Sequence, residues 1–165
     1  MNEPKRKYMQ TAIDAAIESA ENGDYAHGAV VVIDDEIISI GYETLKSDFD
    51  PVNGHAEVDA IRKACKKLQQ PYLQGAVLYS VAEPCPMCIS AAIWAKVDTV
   101  VFATTRQDMI DEMERLTKEN DGNFSWRQIA VPAKYIVERG KPDIHLVEGF
   151  MREEGQIIFK VTGKK

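Results

Sequence analysis

The residues best placed to do chemistry lie in two short stretches, "GHAEV" at 54–58 and "EPCPMC" at 83–88. Cys85 and Cys88, at the start of a predicted helix, can turn both sulfurs toward one point. The positive end of a helix dipole and its free N–H groups favour thiolates there. Such a pair serves as a redox couple, as half of a four-ligand structural zinc site, or as two ligands of a catalytic metal. His55 and Glu57 favour the last. One imidazole and two thiolates leave tetrahedral zinc one open position for water, whose pKa the metal lowers toward neutrality. A carboxylate that does not bind the metal must then take the water's proton and pass it to a leaving group. Glu57 has the chemistry for that, and a redox pair would leave it unexplained. Positions two apart on an ideal helix point to different sides, so His55 and Glu57 must converge through the geometry of a first turn.

The elements that position these residues are readable from periodicity. "KRKYMQTAIDAAIESAENG" puts Tyr8, Ala12, Ala15, Ala16 and Ser19 at helical spacing, with Gly23 as a stop. "GAVVVID" and "EIISIGY" read as strands joined by a turn at "DDE", and "ETLKSDFDPVNG" as a loop. A helix is predicted from His55 to Leu68, a strand at "GAVLYSVA", a helix at "PCPMCISAAIWAK" with Pro86 in its first turn, and a strand at "DTVVFAT". The connections through these two helices are long enough for parallel crossovers. "RQDMIDEMERLTKEN" is amphipathic, "DGNFSWRQIAVPAKY" irregular or briefly helical, "DIHLVEGF" a fifth strand, and the tail from Met151 helical despite Gly155. An α/β layered fold follows, as a single domain over 1–165.

Composition narrows the function. With 20 basic against 26 acidic side chains, the net charge of −6 offers no overall surplus for nucleic-acid phosphates. Arg62, Lys63, Lys66 and Lys67 are expected to form a solvated helix face. A small diffusing substrate is the better default, with nucleic acid disfavoured. No apolar run spans a bilayer, and "MNEPKRKYMQ" has charges without an apolar region after them, so no secretory signal is read. The chain is expected in the cytoplasm. Three cysteines without an export signal argue against a disulfide framework, which leaves thiols for metal.

H-x-E followed by P-C-x-x-C is the signature of zinc nucleobase deaminases. It stands here as "HAE" at 55–57 and "PCPMC" at 84–88. The chain resembles the cytidine-deaminase-like superfamily, and within it the branch of bacterial guanine deaminases and tRNA adenosine deaminases. "GAVVV", "DPVNGHAEVDAIRKAC", "LYSVAEPCPMCISAAIWA" and "VVFATT" carry the likeness, which thins after residue 106. The resemblance implies a three-layer α/β/α domain around a five-stranded mixed sheet, and assembly as a homodimer. It also implies Zn2+ on His55, Cys85 and Cys88, with Glu57 as proton shuttle. The Ala56 N–H would help to hold a nucleobase or small nucleoside, guanine-like as the first expectation.

The chain departs from those relatives where the second strand ends. A Gly-x-Asn pattern is usual there, its amide contacting the base; here it reads Gly41-Tyr42-Glu43. An amide donates and accepts, whereas an ionised carboxylate only accepts. Glu43 facing the pocket would suit an amino group or ring N–H and would admit pterins or triazines; facing solvent it would do neither. His27 stands where a Phe is usual and would either meet the bound ring or serve structure. Trp94 matches a family aromatic position near the active site, with a core role as the alternative. Asp121 and Trp126, within 121–129, could reach the base as an acceptor and a stacking ring. Cys65 is expected in the core, and His145 in a strand or at the surface. The competing functions are a tRNA adenosine deaminase, which should be basic, and a non-enzymatic zinc module, which should offer a fourth ligand.

Overall fold

The computed structural model describes residues 3–122 and 129–161. Its helices are α1 (Arg6–Glu21), α2 (Ala56–Leu68), α3 (Pro86–Trp94), α4 (Arg106–Glu119), α5 (Ala133–Val137), α6 (Arg152–Gly155) and α7 (Ile157–Val161). Its strands are β1 (Gly28–Ile33), β2 (Glu36–Tyr42), β3 (Val77–Ala82), β4 (Thr99–Thr104) and β5 (His145–Glu148).

The five strands form one mixed sheet in the order β2-β1-β3-β4-β5. β1 runs antiparallel to both β2 and β3, while β4 runs parallel to β3 and to β5. Asp34 and Asp35 make the hairpin turn with φ of 50° and 60°, the left-handed pair that matches strand twist. Alternation along each strand divides the core in two. Val31, Leu78, Val100 and Phe102 face α2, α3 and α5; Val30, Val32, Tyr79 and Val101 face α1 and the C-terminal helices. This is the expected three-layer α/β/α arrangement.

Local chemistry explains several element ends. Thr105 caps α4 through the Asp108 N–H at 3.2 Å, and Asp108 returns the bond from the Thr105 N–H at 2.9 Å. The tail forms two short helices that meet at Gly155 and Gln156. A Cβ on Gly155 would lie 2.6 Å from the Ala103 Cβ, so this glycine lets α6 sit directly on β4. On α2, Lys63 and Lys67 reach back to the Ile40 and Ile38 carbonyls, each at 3.3 Å. The basic face read from sequence thus covers the open edge of β2, a common defence of an edge strand. Among the described residues, no helix is long and apolar enough to cross a membrane.

Candidate metal and catalytic site

Two helix starts meet above one end of β3. His55 is the N-cap of α2 and Cys85 the N-cap of α3, both with extended backbone. Because His55 precedes the helix proper, its ring is freed from the helical period. That is how it and Glu57, the second residue of α2, come to face one site. Cys88 sits in the first turn of α3, fully buried.

The donor atoms converge. The Cys85 and Cys88 sulfurs are 3.5 Å apart, and the His55 Nδ1 lies 3.7 Å from the first and 3.4 Å from the second. Bonds of about 2.3 Å to sulfur and about 2.0–2.1 Å to nitrogen, in a tetrahedron, require ligand edges of about 3.5–3.8 Å. The three residues therefore fit zinc. No other group of this kind occurs among the described residues, and no fourth acid, histidine or cysteine joins this one.

The cluster's own electrostatics fit a cation. The Cys88 thiol, with help from His55, pulls the Cys85 thiol down to about 4 against the opposing effect of burial. Cys88, sharing a proton with Cys85 and buried beside Glu57, is pushed well above the ordinary thiol value. The Cys85 sulfur also raises His55 to about 9. A bound cation displaces the protons that these groups otherwise share.

Glu57 is buried beside the cluster, and its Oε1 accepts the Ser80 hydroxyl at 2.8 Å. Glu43 is also buried, turned inward rather than toward solvent. Its Oε2 accepts the Ala56 N–H at 3.2 Å. The N–H expected to hold substrate is thus engaged within the chain, because a buried first-turn N–H needs an acceptor. Burial, then the Glu57 charge, raises Glu43 to about 8 against the pull of His55 and the Ala56 N–H. In the metal-free chain Glu43 is thereby held toward its protonated form, which donates as well as accepts.

His27 lies half-buried next to the same groups. Burial holds its ring below the ordinary histidine value, Glu57 opposing and His55 and Arg106 reinforcing. The Ser19 Oγ lies 3.0 Å from the His27 carbonyl and 2.9 Å from the Ala15 carbonyl, its one proton shared between them, and the same oxygen accepts the Glu43 N–H at 3.0 Å. Ser19 thus fixes the main chain at both His27 and Glu43 from α1.

Trp94 ends α3, about 12 Å along the axis from its start, and is 81% exposed. The structure corrects the core alternative for this residue and separates it from the cluster within one chain. Asp121 follows the C-terminal end of α4, exposed, with φ of 51°, and is not among the groups that converge with His55, Cys85 and Cys88. Trp126 lies outside the described residues. Cys65 is half-buried against the core, away from the metal ligands, and His145 is exposed on β5.

Sequence reading missed Ser80, Glu83 and Arg106. The buried Glu83 carboxylate accepts the Arg106 N–H at 2.6 Å and the Ala133 N–H at 2.7 Å. It therefore locks the Cys85 loop to α4 and α5. The Arg106 guanidinium donates to the Glu83 carbonyl at 2.8 Å and is itself buried. Glu83 was visible inside "EPCPMC"; Arg106 carried no local signal.

A family model described as the cytidine and deoxycytidylate deaminase zinc-binding region matches residues 2–104. The chain is 36% identical to the guanine deaminase of Bacillus subtilis (strain 168) over 128 residues, 77% of this chain and 78% of that protein. It is 35% identical to the tRNA-specific adenosine deaminase of Aquifex aeolicus (strain VF5) over 99 residues, 60% of this chain and 65% of that one. The X-ray structure of guanine deaminase from Bacillus subtilis matches the fold with a TM-score of 0.63 at 31% identity. That match covers 83% of this chain and 92% of the other.

Proposed function

The chain belongs to the cytidine and deoxycytidylate deaminase zinc-binding family and is a zinc-dependent hydrolytic deaminase, and we propose that it acts on a free amino-substituted purine base, guanine first. The observation that carries the catalytic assignment is the donor count. Three ligands converge among the described residues, and the fourth polar group, Glu57, belongs to Ser80 instead. A closed structural site would use four.

His55, Cys85 and Cys88 would hold zinc, which would supply hydroxide from water near neutral pH. Glu57 would hold the proton released there on its carboxylate and deliver it to the departing amino nitrogen. The amine becomes a carbonyl and ammonia leaves, so one water is consumed for each ammonia released. With Oε2 taken by the Ala56 N–H, Glu43 leaves its other oxygen for the substrate, where a protonated carboxyl donates as an amide N–H would. This suits a carbonyl oxygen or an unprotonated ring nitrogen, both of which guanine carries. His27, kept neutral, closes the same wall without adding charge.

A second reading, deamination of an adenosine in tRNA, is favoured by the Aquifex aeolicus relative. Against it stand the net charge of −6 and the use of Lys63 and Lys67 on the β2 edge. We also place the enzyme in the cytoplasm as a homodimer. The unpaired thiols suit a reducing compartment, and Phe49 and Trp94, 91% and 81% exposed, suit burial by a second copy.

The test is ammonia release by zinc-loaded protein from guanine, guanosine, adenine, cytosine, a pterin, an aminotriazine and an anticodon stem-loop RNA. Guanine should be turned over fastest, by protein holding about one zinc per chain. Turnover of the RNA alone would move the assignment to the second reading, and release from none would overturn both.

A further inference from the structure

Strand alternation puts every second residue of β3 under α2 and α3: Leu78 faces that side and Ser80 follows it inward. Ser80 is 1% exposed and sits in register with Ala29 on one neighbour and Phe102 on the other. Packing alone would ask for an apolar residue there. A buried hydroxyl must instead find partners, and Ser80 has two. Its Oγ lies 2.8 Å from Glu57 Oε1 and 2.7 Å from the Ala82 carbonyl oxygen.

We propose that Ser80 is a positioning residue for Glu57, holding Oε1 so that Oε2 alone faces the reacting atoms. This rests on the deaminase assignment made above, in which Glu57 moves the proton. A hydroxyl has one proton to give and two lone pairs to receive. The Ala82 carbonyl can only accept, so the hydroxyl proton goes either to it or to Glu57. When Oγ donates to Oε1, the exchange of a proton with the reacting atoms is left to Oε2, and an apolar side chain at this position could give no such bond. The strand fixes Oγ, and Oγ fixes the oxygen.

The test compares native protein with Ser80→Ala and Ser80→Thr, each zinc-loaded, on the panel base turned over fastest. Ser80→Ala should keep its zinc and its KM and lose kcat by about 10- to 100-fold, the range of a small misplacement of a proton-transfer group. Ser80→Thr, which keeps the hydroxyl, should restore most of it. A thermal cycle supplies a readout independent of turnover. Ser80→Ala should lower Tm more in the native background than in a Glu57→Ala background, where no carboxyl is left unpaired. Unchanged kcat in Ser80→Ala would overturn the proposal, as would loss of zinc together with kcat, or an equal Tm loss in both backgrounds. If native protein releases ammonia from nothing in the panel, the deaminase assignment fails, and the thermal cycle by itself decides whether Ser80 holds Glu57.

Discussion

The Glu43 carboxyl accepts the Ala56 N–H at 3.2 Å, joining the end of β2 to the residue between His55 and Glu57. The side chain proposed to meet the substrate is thereby built onto the backbone of the zinc-ligand loop. Glu43→Gln keeps an acceptor for Ala56 and a donor for the substrate, so activity on guanine should fall by less than about tenfold. Glu43→Ala removes both and should cost about tenfold or more in kcat/KM, the scale of one lost hydrogen bond in a buried site. Steady-state kinetics on both variants checks the ordering; equal losses would place Glu43 outside substrate contact.

The same carboxyl makes a pH signature in metal-free protein. Its value rises from 4.5 to about 8 on folding, mainly through burial and next through the charge of Glu57. Between those two values the folded chain binds the proton and the unfolded chain does not, so this group's contribution to stability falls as pH rises. Above about 8 the full cost is present. Glu43→Gln has no such proton. Its stability advantage over native protein should be small near the lower value and grow through the window. Urea unfolding across that range checks the slope, and a constant difference would contradict it.

Gly41 faces α2 so closely that a Cβ would lie 2.0 Å from the Ala56 carbonyl oxygen and 2.7 Å from the Ala60 Cβ. Gly41→Ala must push the start of α2, and His55 with it, away from Cys85 and Cys88. A loss of about 1–3 kcal/mol or more is expected from overpacking, together with weaker zinc retention. Thermal unfolding and metal analysis on one preparation measure both. A variant with native zinc content and native Tm would show that the sheet absorbs the methyl group.

Which features the sequence disclosed follows the range of the interactions. The sheet, the first three helices and the metal ligands were legible because period and spacing are local: "HAE" and "PCPMC" each sit at a helix start. Glu43 was left open between pocket and solvent, because the end of a strand carries no alternation signal. Its inward turn depends on the Ala56 N–H, which is distant in sequence. Ser80 was hidden for the opposite reason, reading as one small residue in a buried strand until Glu57 was placed above it. Trp94 shows the limit of resemblance. A family position near a site does not say which chain's site, and within one chain this ring faces outward.

The most direct test of the central claim is Glu57→Gln, assayed for zinc and for ammonia release from guanine beside native protein. The substituted amide cannot carry the proton, while His55, Cys85 and Cys88 are untouched. Zinc content should stay at about one per chain, and kcat should fall by at least about 100-fold. A zinc-replete Glu57→Gln protein that still releases ammonia at the native rate would contradict the account.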